Sequence, residues 1–303
     1  MISREHYEAF ARNCPSLPLF LQPWWLDAAS GDGNWVPVVV LHEGVPVGVW
    51  PVPLRKKGPF TVAGMLHLTD YLGPWMPSLS IPLVEELKES FPKYDVFCQN
   101  ILPGLEFLFL PGQKGWEIKE RHTRCILDLK EWNETQMLPR ARASLKKAKA
   151  NLQVCETQDS DRVWVLLKMS FERQNLAVPF PEAVYRSLFQ AGESRGCLRA
   201  WVAFDPVSRR DCSTVAIFND QSTAYYLLGG NDPDLRNMNG SSLVLFHAIV
   251  EMQRTMERFD FLGSMIPSVD SFFESLGGKR ATVLEVSHLR SPLLRVAKFI
   301  GVA

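Results

Sequence analysis

The chain reads as an α/β (α+β) protein built from two tandem units, each a mixed, mostly antiparallel twisted sheet flanked by helices. Three observations predict this. Its 303 residues are about twice a usual domain length. With hydrophobic residues at 46% and charged residues at 22%, it has the composition of an ordinary globular chain with material for more than one core. The order of elements in the second half, helices, strand pair, helix and strand, has a fainter counterpart in the first half, without any sequence repeat. The units are placed at residues 1–130 and 131–303.

In the first half, residues 2–13 have helical spacing, and a proline precedes a short helix in PLFLQPWWLDAAS, where Trp24 and Trp25 read as core or interface. WVPVVVLHEGVPVGVWPVPLR is a hairpin turning at Glu43-Gly44, and Pro46, Pro51 and Pro53 place its second strand at an edge or on bulges. IPLVEELKESFP follows as a helix and YDVFCQNIL as a buried strand. LEFLFLPG is an apolar segment ending in a turn, and HTRCILDLK is a closing strand.

The second half opens with the basic helix LPRARASLKKAKANLQV, which runs into a strand. Helices DRVWVLLKMSFERQN and PEAVYRSLFQAGESRG come next, then strands LRAWVAF, CSTVAIFND and STAYYLLGG. The long helix GSSLVLFHAIVEMQRTMER leads to a short strand in RFDFLGS. The helix SVDSFFESLGG stops at Gly-Gly, and ATVLEVSHL is the last strand.

Several function classes are set aside. The 33 basic and 33 acidic residues cancel, so polyanions can be gathered only by a local cluster. Cys14, Cys98, Cys125, Cys155, Cys197 and Cys212 are scattered without CxxC spacing and read as reduced thiols. The six histidines show no metal-ligand spacing, so no metal is expected. Charges fill MISREHYEAFARN, and no run is apolar enough to span a bilayer, so a cytoplasmic protein is expected.

The chemistry concentrates in YYLLGGNDPDLRNMNGSSLVLFHAIV. A strand ends at Gly229-Gly230, a polar loop carries Arg236, and a helix starts at Gly240-Ser241-Ser242. Glycines admit close backbone approach, and the free N–H groups of a helix start attract anions. The plainer reading is a capped helix with a solvated Arg236. Downstream, Asp260 in ERFDFLGSM sits near a sheet end as a base, an amine anchor or a loop cap, and Gly263 and Ser264 continue the polar lip. Of Tyr225 and Tyr226, one faces the cleft. On the basic helix Arg142, Lys146 and Lys149 share a face, with Arg140 and Lys147 on another; they are either solvated or grip phosphates. Arg173, in SFERQN, holds a carboxylate or, on the plainer reading, lies on the helix surface.

STAYYLLGGNDPDLRNMNGSSLVLFHAIVEMQRTMERFDFLGSMIPSVDSFFESLGG resembles the C-terminal module of the FemAB-like branch of the GNAT acyltransferase superfamily. The shared pattern is a strand with Gly-Gly, a polar loop with Arg, a helix, FDF-G-S, and a Phe-bearing helix ending in Gly-Gly. RARASLKKAKANLQV is similar to the basic helix of that branch. The resemblance covers about residues 138–288, while QPWWLDA and TDYLGPW match only in general character.

It implies a degenerate GNAT-like first unit and an N-acyltransferase in the second. The donor would be a phosphate-bearing carrier, acyl-CoA or aminoacyl-tRNA. The acceptor would be a small-molecule or nucleotide-linked amine, such as a peptidoglycan precursor. A GNAT-fold protein that only binds a ligand or partner is the alternative. The acyl-CoA loop pattern Q/R-x-x-G-x-G/A reads R-N-M-N-G-S from Arg236, so Asn239 and Ser241 depart from it. On this reading Gly229, Gly230, Arg236, Asn239, Gly240, Ser241 and Ser242 bind the donor, and Asp260 and Tyr226 are catalytic. Tyr71, Arg142 and Lys146 meet the acceptor or phosphates, with the amine expected between the units near Tyr71 and Asp260.

Overall fold

The computed structural model describes residues 4–31, 34–102, 105, 115–263, 267–292, 294 and 295. The chain divides into two compact units, Met1–His122 with Thr282–Ala303, and Thr123–Ala281. The apolar segment LEFLFLPG, apart from Leu105, and Ser264 lie outside the described residues.

The first unit contains α1 (Arg4–Asn13), α2 (Pro23–Ser30), β1 (Asn34–His42), β2 (Val45–Lys57), β3 (Phe60–Ala63), α3 (Ile81–Glu89) and β4 (Val96–Ile101). Its sheet runs β1-β2-β3-β4 and then β11 (Lys279–Leu289), with all pairs antiparallel except β3 with β4. The hairpin turn holds Glu43 at φ 51 and Gly44 at φ 81, the paired positive dihedrals that match strand twist.

The prolines of β2 fall where β3 does not yet reach it and, at Pro46, beside a bulge. β2 pairs with β1 from Val45 to Leu54 and with β3 only from Leu54 onward, and Val47 is left over where Val40↔Gly48 gives way to Leu41↔Pro46. The edge strand is β1; β2 carries the bulge. Trp25 and Trp50 are fully buried, and Trp50 Nε1 donates to the buried Gln99 Oε1 at 2.7 Å, so each large ring keeps its polar atom satisfied.

The second unit takes the C-terminal part of β5 (Trp116–Asp128), then α4 (Pro139–Asn151), β6 (Gln153–Thr157), α5 (Ser160–Glu172) and α6 (Glu182–Glu193). β7 (Leu198–Phe204), β8 (Asp211–Asn219), β9 (Thr223–Asn231), α7 (Gly240–Met252), β10 (Arg258–Asp260) and α8 (Pro267–Ser275) complete it. The sheet order is β5-β10-β9-β8-β7-β6, antiparallel except for β9 with β10. A crossover through α7 makes that pair parallel, as a helix between adjacent strands requires.

Local chemistry sets the helix ends. Asp159 caps α5 by accepting from the Asp161 and Arg162 amides. The chain leaves α5 through Asn175 at φ 55, with Asn175 N donating to Glu172 O at 2.9 Å and Leu176 N to Phe171 O at 3.0 Å. That is a Schellman closure, in which Asn takes the left-handed position. α7 is apolar nearly all round because it is the central helix of the core, packed with Leu145, Trp201, Ile217 and Phe259. Element order assigned ATVLEVSHL to the second unit; instead Leu284–Leu289 pair with β4 in the first.

Candidate functional site

Two irregularities in β9 create the site. The register with β8 steps from Ala216↔Leu228 to Ile217↔Tyr226, which leaves Leu227 as an extra, bulged residue. On its other edge β9 is paired with β10 only through Tyr225↔Asp260. Beyond that pair the chain turns away through Leu262 at φ 61 and Gly263 at φ 89. The backbone of β9 from Tyr226 onward therefore borders a cavity of about 850 Å³ instead of a neighbouring strand.

The cavity is bounded by β8, β9, the ends of α4 and α5, the start of α7 and α8. Arg140, Arg173 and Arg236 line it, all three exposed, and no Asp, Glu, Lys or His is among the described lining residues. In a chain whose formal charges cancel, this is a local cationic concavity suited to anions. Asn231 Oδ1, also on the lining, is shielded from solvent without a hydrogen-bond partner in the described structure. Such an acceptor costs on the order of 1–3 kcal/mol until an N–H reaches it.

The expected donor residues Gly229, Gly230, Arg236, Asn239, Gly240, Ser241 and Ser242 all border this one cavity. Their reasons for being there differ from those expected. A Cβ on Gly230 would lie 2.4 Å from the Leu166 and Leu167 backbone; the residue is small so that α5 can lie directly on β9. A Cβ on Gly240 would lie 2.6 Å from Cys212 Sγ, so here the helix start seats on β8. The Ser242 amide already donates to Asn239 O at 3.0 Å. Ser241 Oγ is 3.0 Å from Ser213 Oγ, which donates to Gly230 O at 2.8 Å. Asn239 holds the left-handed N-cap of α7 at φ 59 without a side-chain cap bond. The helix start is thus partly satisfied internally, and the cationic character comes from arginines.

Tyr226 borders the cavity with its ring edge-on to Phe273 at 5.7 Å. Burial pushes its phenol up to about 12, so it keeps its proton at neutral pH. A Cβ on Gly229 would meet the Tyr226 hydroxyl; this glycine makes room for the phenol. Tyr225 instead donates to Asp220 Oδ2 at 2.8 Å.

Asp260 is not a free base. It is buried and does not line the cavity. Arg124 Nε donates to Oδ1 at 3.1 Å and Arg124 Nη2 to Oδ2, while Leu262 N donates to Oδ1 at 2.9 Å. Of the three roles open to it, the loop cap is the one the geometry supports. It clamps the turn that carries Leu262 and Gly263 onto the lining. Tyr71 belongs to the first unit, buried with its ring edge-on to Phe20 at 5.0 Å, and is a core residue.

Arg142 and Lys146 lie off the cavity. Arg142 Nη1 donates to Thr135 O at 3.1 Å, securing the turn before α4, and Lys146 is exposed. The neighbouring face of α4 supplies the site: Arg140, Ala141 and Ser144 line the cavity, and Arg140 Nη2 donates to Ser271 O at 3.1 Å. Sequence reasoning also missed Asn231, while Arg173, for which a ligand-holding role stood beside a surface one, lines the cavity. The i, i+4 pair Arg140 and Ser144 was the available signal. Among the described residues no His, Cys, Asp and Glu cluster could hold a metal, and no helix is long and apolar enough to cross a membrane.

Residues 135–268 match the family model described as "Acetyltransferase (GNAT) domain". Among curated proteins none matches in sequence. Among solved structures, FemX is similar with a TM-score of 0.69 and 13% identity, over 99% of this chain and 98% of that one. L-PGS from Bacillus licheniformis has a TM-score of 0.60 and 12% identity over 99% and 96%. A tandem GNAT protein from the clavulanic acid biosynthesis pathway has 0.54 and 12% over 89% and 94%. At these identities the likeness is one of fold.

Proposed function

Starting from a chain that carries a GNAT domain in residues 135–268, we propose that its second unit is an N-acyltransferase drawing on a phosphate-bearing carrier. The observation that carries this reading is the cavity with three arginines and no described carboxylate beside the open edge of β9. The carrier is acyl-CoA or aminoacyl-tRNA, and the acceptor is an amine on a small or nucleotide-linked molecule such as a cell-wall precursor. Likeness to FemX and L-PGS supports the aminoacyl branch; the acetyltransferase model supports acyl-CoA. Exposed Lys146 and Lys147 on α4, the helix that brings Arg140 to the cavity, suit a long carrier such as tRNA.

The chemistry follows from the groups present. A neutral amine attacks the carrier's carbonyl, a C–N bond forms, and the C–S or C–O bond to the carrier breaks. Arginines hold the carrier's phosphates, and the strand edge left open by β10 offers backbone N–H and C=O groups to an extended arm. The protonated Tyr226 hydroxyl donates to the charge that develops on the carbonyl oxygen or the leaving group. With no carboxylate or imidazole among the described lining residues, the amine proton passes through water to the departing sulfur or oxygen.

Transfer of a labelled acyl group from acetyl-CoA, longer acyl-CoAs or aminoacyl-tRNA to amines and UDP-linked peptides tests the reading. Turnover with at least one carrier is expected. Failure of every carrier to bind or react would leave a ligand-binding protein of this fold. Tyr226→Phe is expected to lower kcat on the order of 100-fold, the effect of losing one preorganised donor. Arg236→Gln is expected to raise the donor KM roughly 10-fold with kcat retained.

A further inference from the structure

One wall of the same cavity is apolar, and nothing in the transfer chemistry above uses it. Phe171, Leu176, Leu227, Val269 and Phe272 all line it, and each keeps part of its surface open. Leu176 is 53% exposed, so the core gains little from it. Its position is nevertheless fixed by the Schellman closure of α5, which folds Leu176 back toward Phe171. Helix closure alone would explain that clasp. It does not explain why Val269 and Phe272 from α8, and Leu227 from the bulge in β9, turn half-covered apolar surface to the same space. Arg173 sits on the lining three residues before Leu176, and no described carboxylate opposes it. An apolar wall beside unopposed cations is complementary to one chemical class, an anion with an apolar tail.

We propose that the cavity recognises an anionic amphiphile, and that the transferred group is an acyl or aminoacyl residue with an apolar portion of about four carbons or more, held on the Phe171–Leu176 clasp. The inference rests on the cavity being the donor site. It makes Leu176 a specificity-determining residue, with the arginines anchoring the charge whatever the tail.

Straight-chain alkyl phosphates from ethyl to octyl, titrated calorimetrically into the full chain, test this. Affinity is expected to rise about fourfold per methylene until the wall is covered, the factor that corresponds to about 0.8 kcal/mol per buried CH₂. Leu176→Ser should flatten that dependence and Leu176→Met restore it, while Arg173→Gln should weaken every chain length by a similar factor and keep the slope. In a transfer assay octyl phosphate should compete with the donor. Length-independent affinity would overturn the inference. So would an unaltered slope in a Leu176→Ser protein that melts like the wild type, or competition against the acceptor alone. Loss of all transfer with the chain-length series intact would instead overturn the acyltransferase reading and leave the amphiphile site standing.

Discussion

Asp260→Asn will lower the stability of the second unit by about 3–5 kcal/mol, because it removes the Asp260 charge that the buried Arg124 guanidinium pairs with. Arg124 and Asp260 side chains are only 4% and 5% exposed, so water cannot take over the lost partner. For a unit of this size that corresponds to a fall in Tm of roughly 6–20 °C, measured by calorimetry. Replacing both partners with apolar residues, Arg124→Met with Asp260→Leu, should recover most of the loss, since two desolvated charges disappear together. Leu262 N, which donates to the same carboxylate, ties this stability to the site: the turn at Leu262 and Gly263 should loosen in the single variant. A single variant that melts normally while losing turnover would assign Asp260 a chemical role in place of the structural one.

The adjacent glycines should separate stability from activity. Gly230→Ala drives a methyl into the Leu166 and Leu167 backbone at 2.4 Å, and backbone cannot rotate away. The unit should lose about 3 kcal/mol, the upper end for overpacking, and α5 should lift from β9. Gly229→Ala meets only the end of the Tyr226 side chain. It should displace the phenol and reduce kcat to the level of Tyr226→Phe, with a Tm shift much smaller than that of Gly230→Ala. Thermal melts and kcat of the two proteins, compared side by side, check this. Equal melts would mean that α5 accommodates the methyl and that close packing is not why residue 230 is glycine.

Periodicity, proline placement and Gly-bearing turns were enough to read most elements, because these depend on neighbours within a turn or two. The hairpin at Glu43-Gly44, the helix start at Gly240 and the Gly-Gly near the end of β9 were legible in that way. Contacts between distant residues were not. Arg124 meets Asp260 across 136 positions, and no local pattern marks Arg124 as the partner. Without that partner an acidic residue near a strand end reads as chemistry. The glycines of β9 and α7 border the cavity as expected, yet two of them are small for packing, a distinction that only the position of α5 and the Cys212 side chain can make. On α4 the charged faces were legible, but not which of them turned to the cavity. Arg140 does so, while Arg142 secures the preceding turn.

The pairing of Leu284–Leu289 with β4 also bears on biosynthesis. Thr123–Ala281 is a continuous stretch that can close as soon as it leaves the ribosome, whereas the earlier-made unit must wait with β4 uncovered until its last strand emerges. Of the two units, the one begun earlier is therefore completed later. A nascent chain stalled before Thr282 should hold a protease-resistant middle and a cleavable beginning.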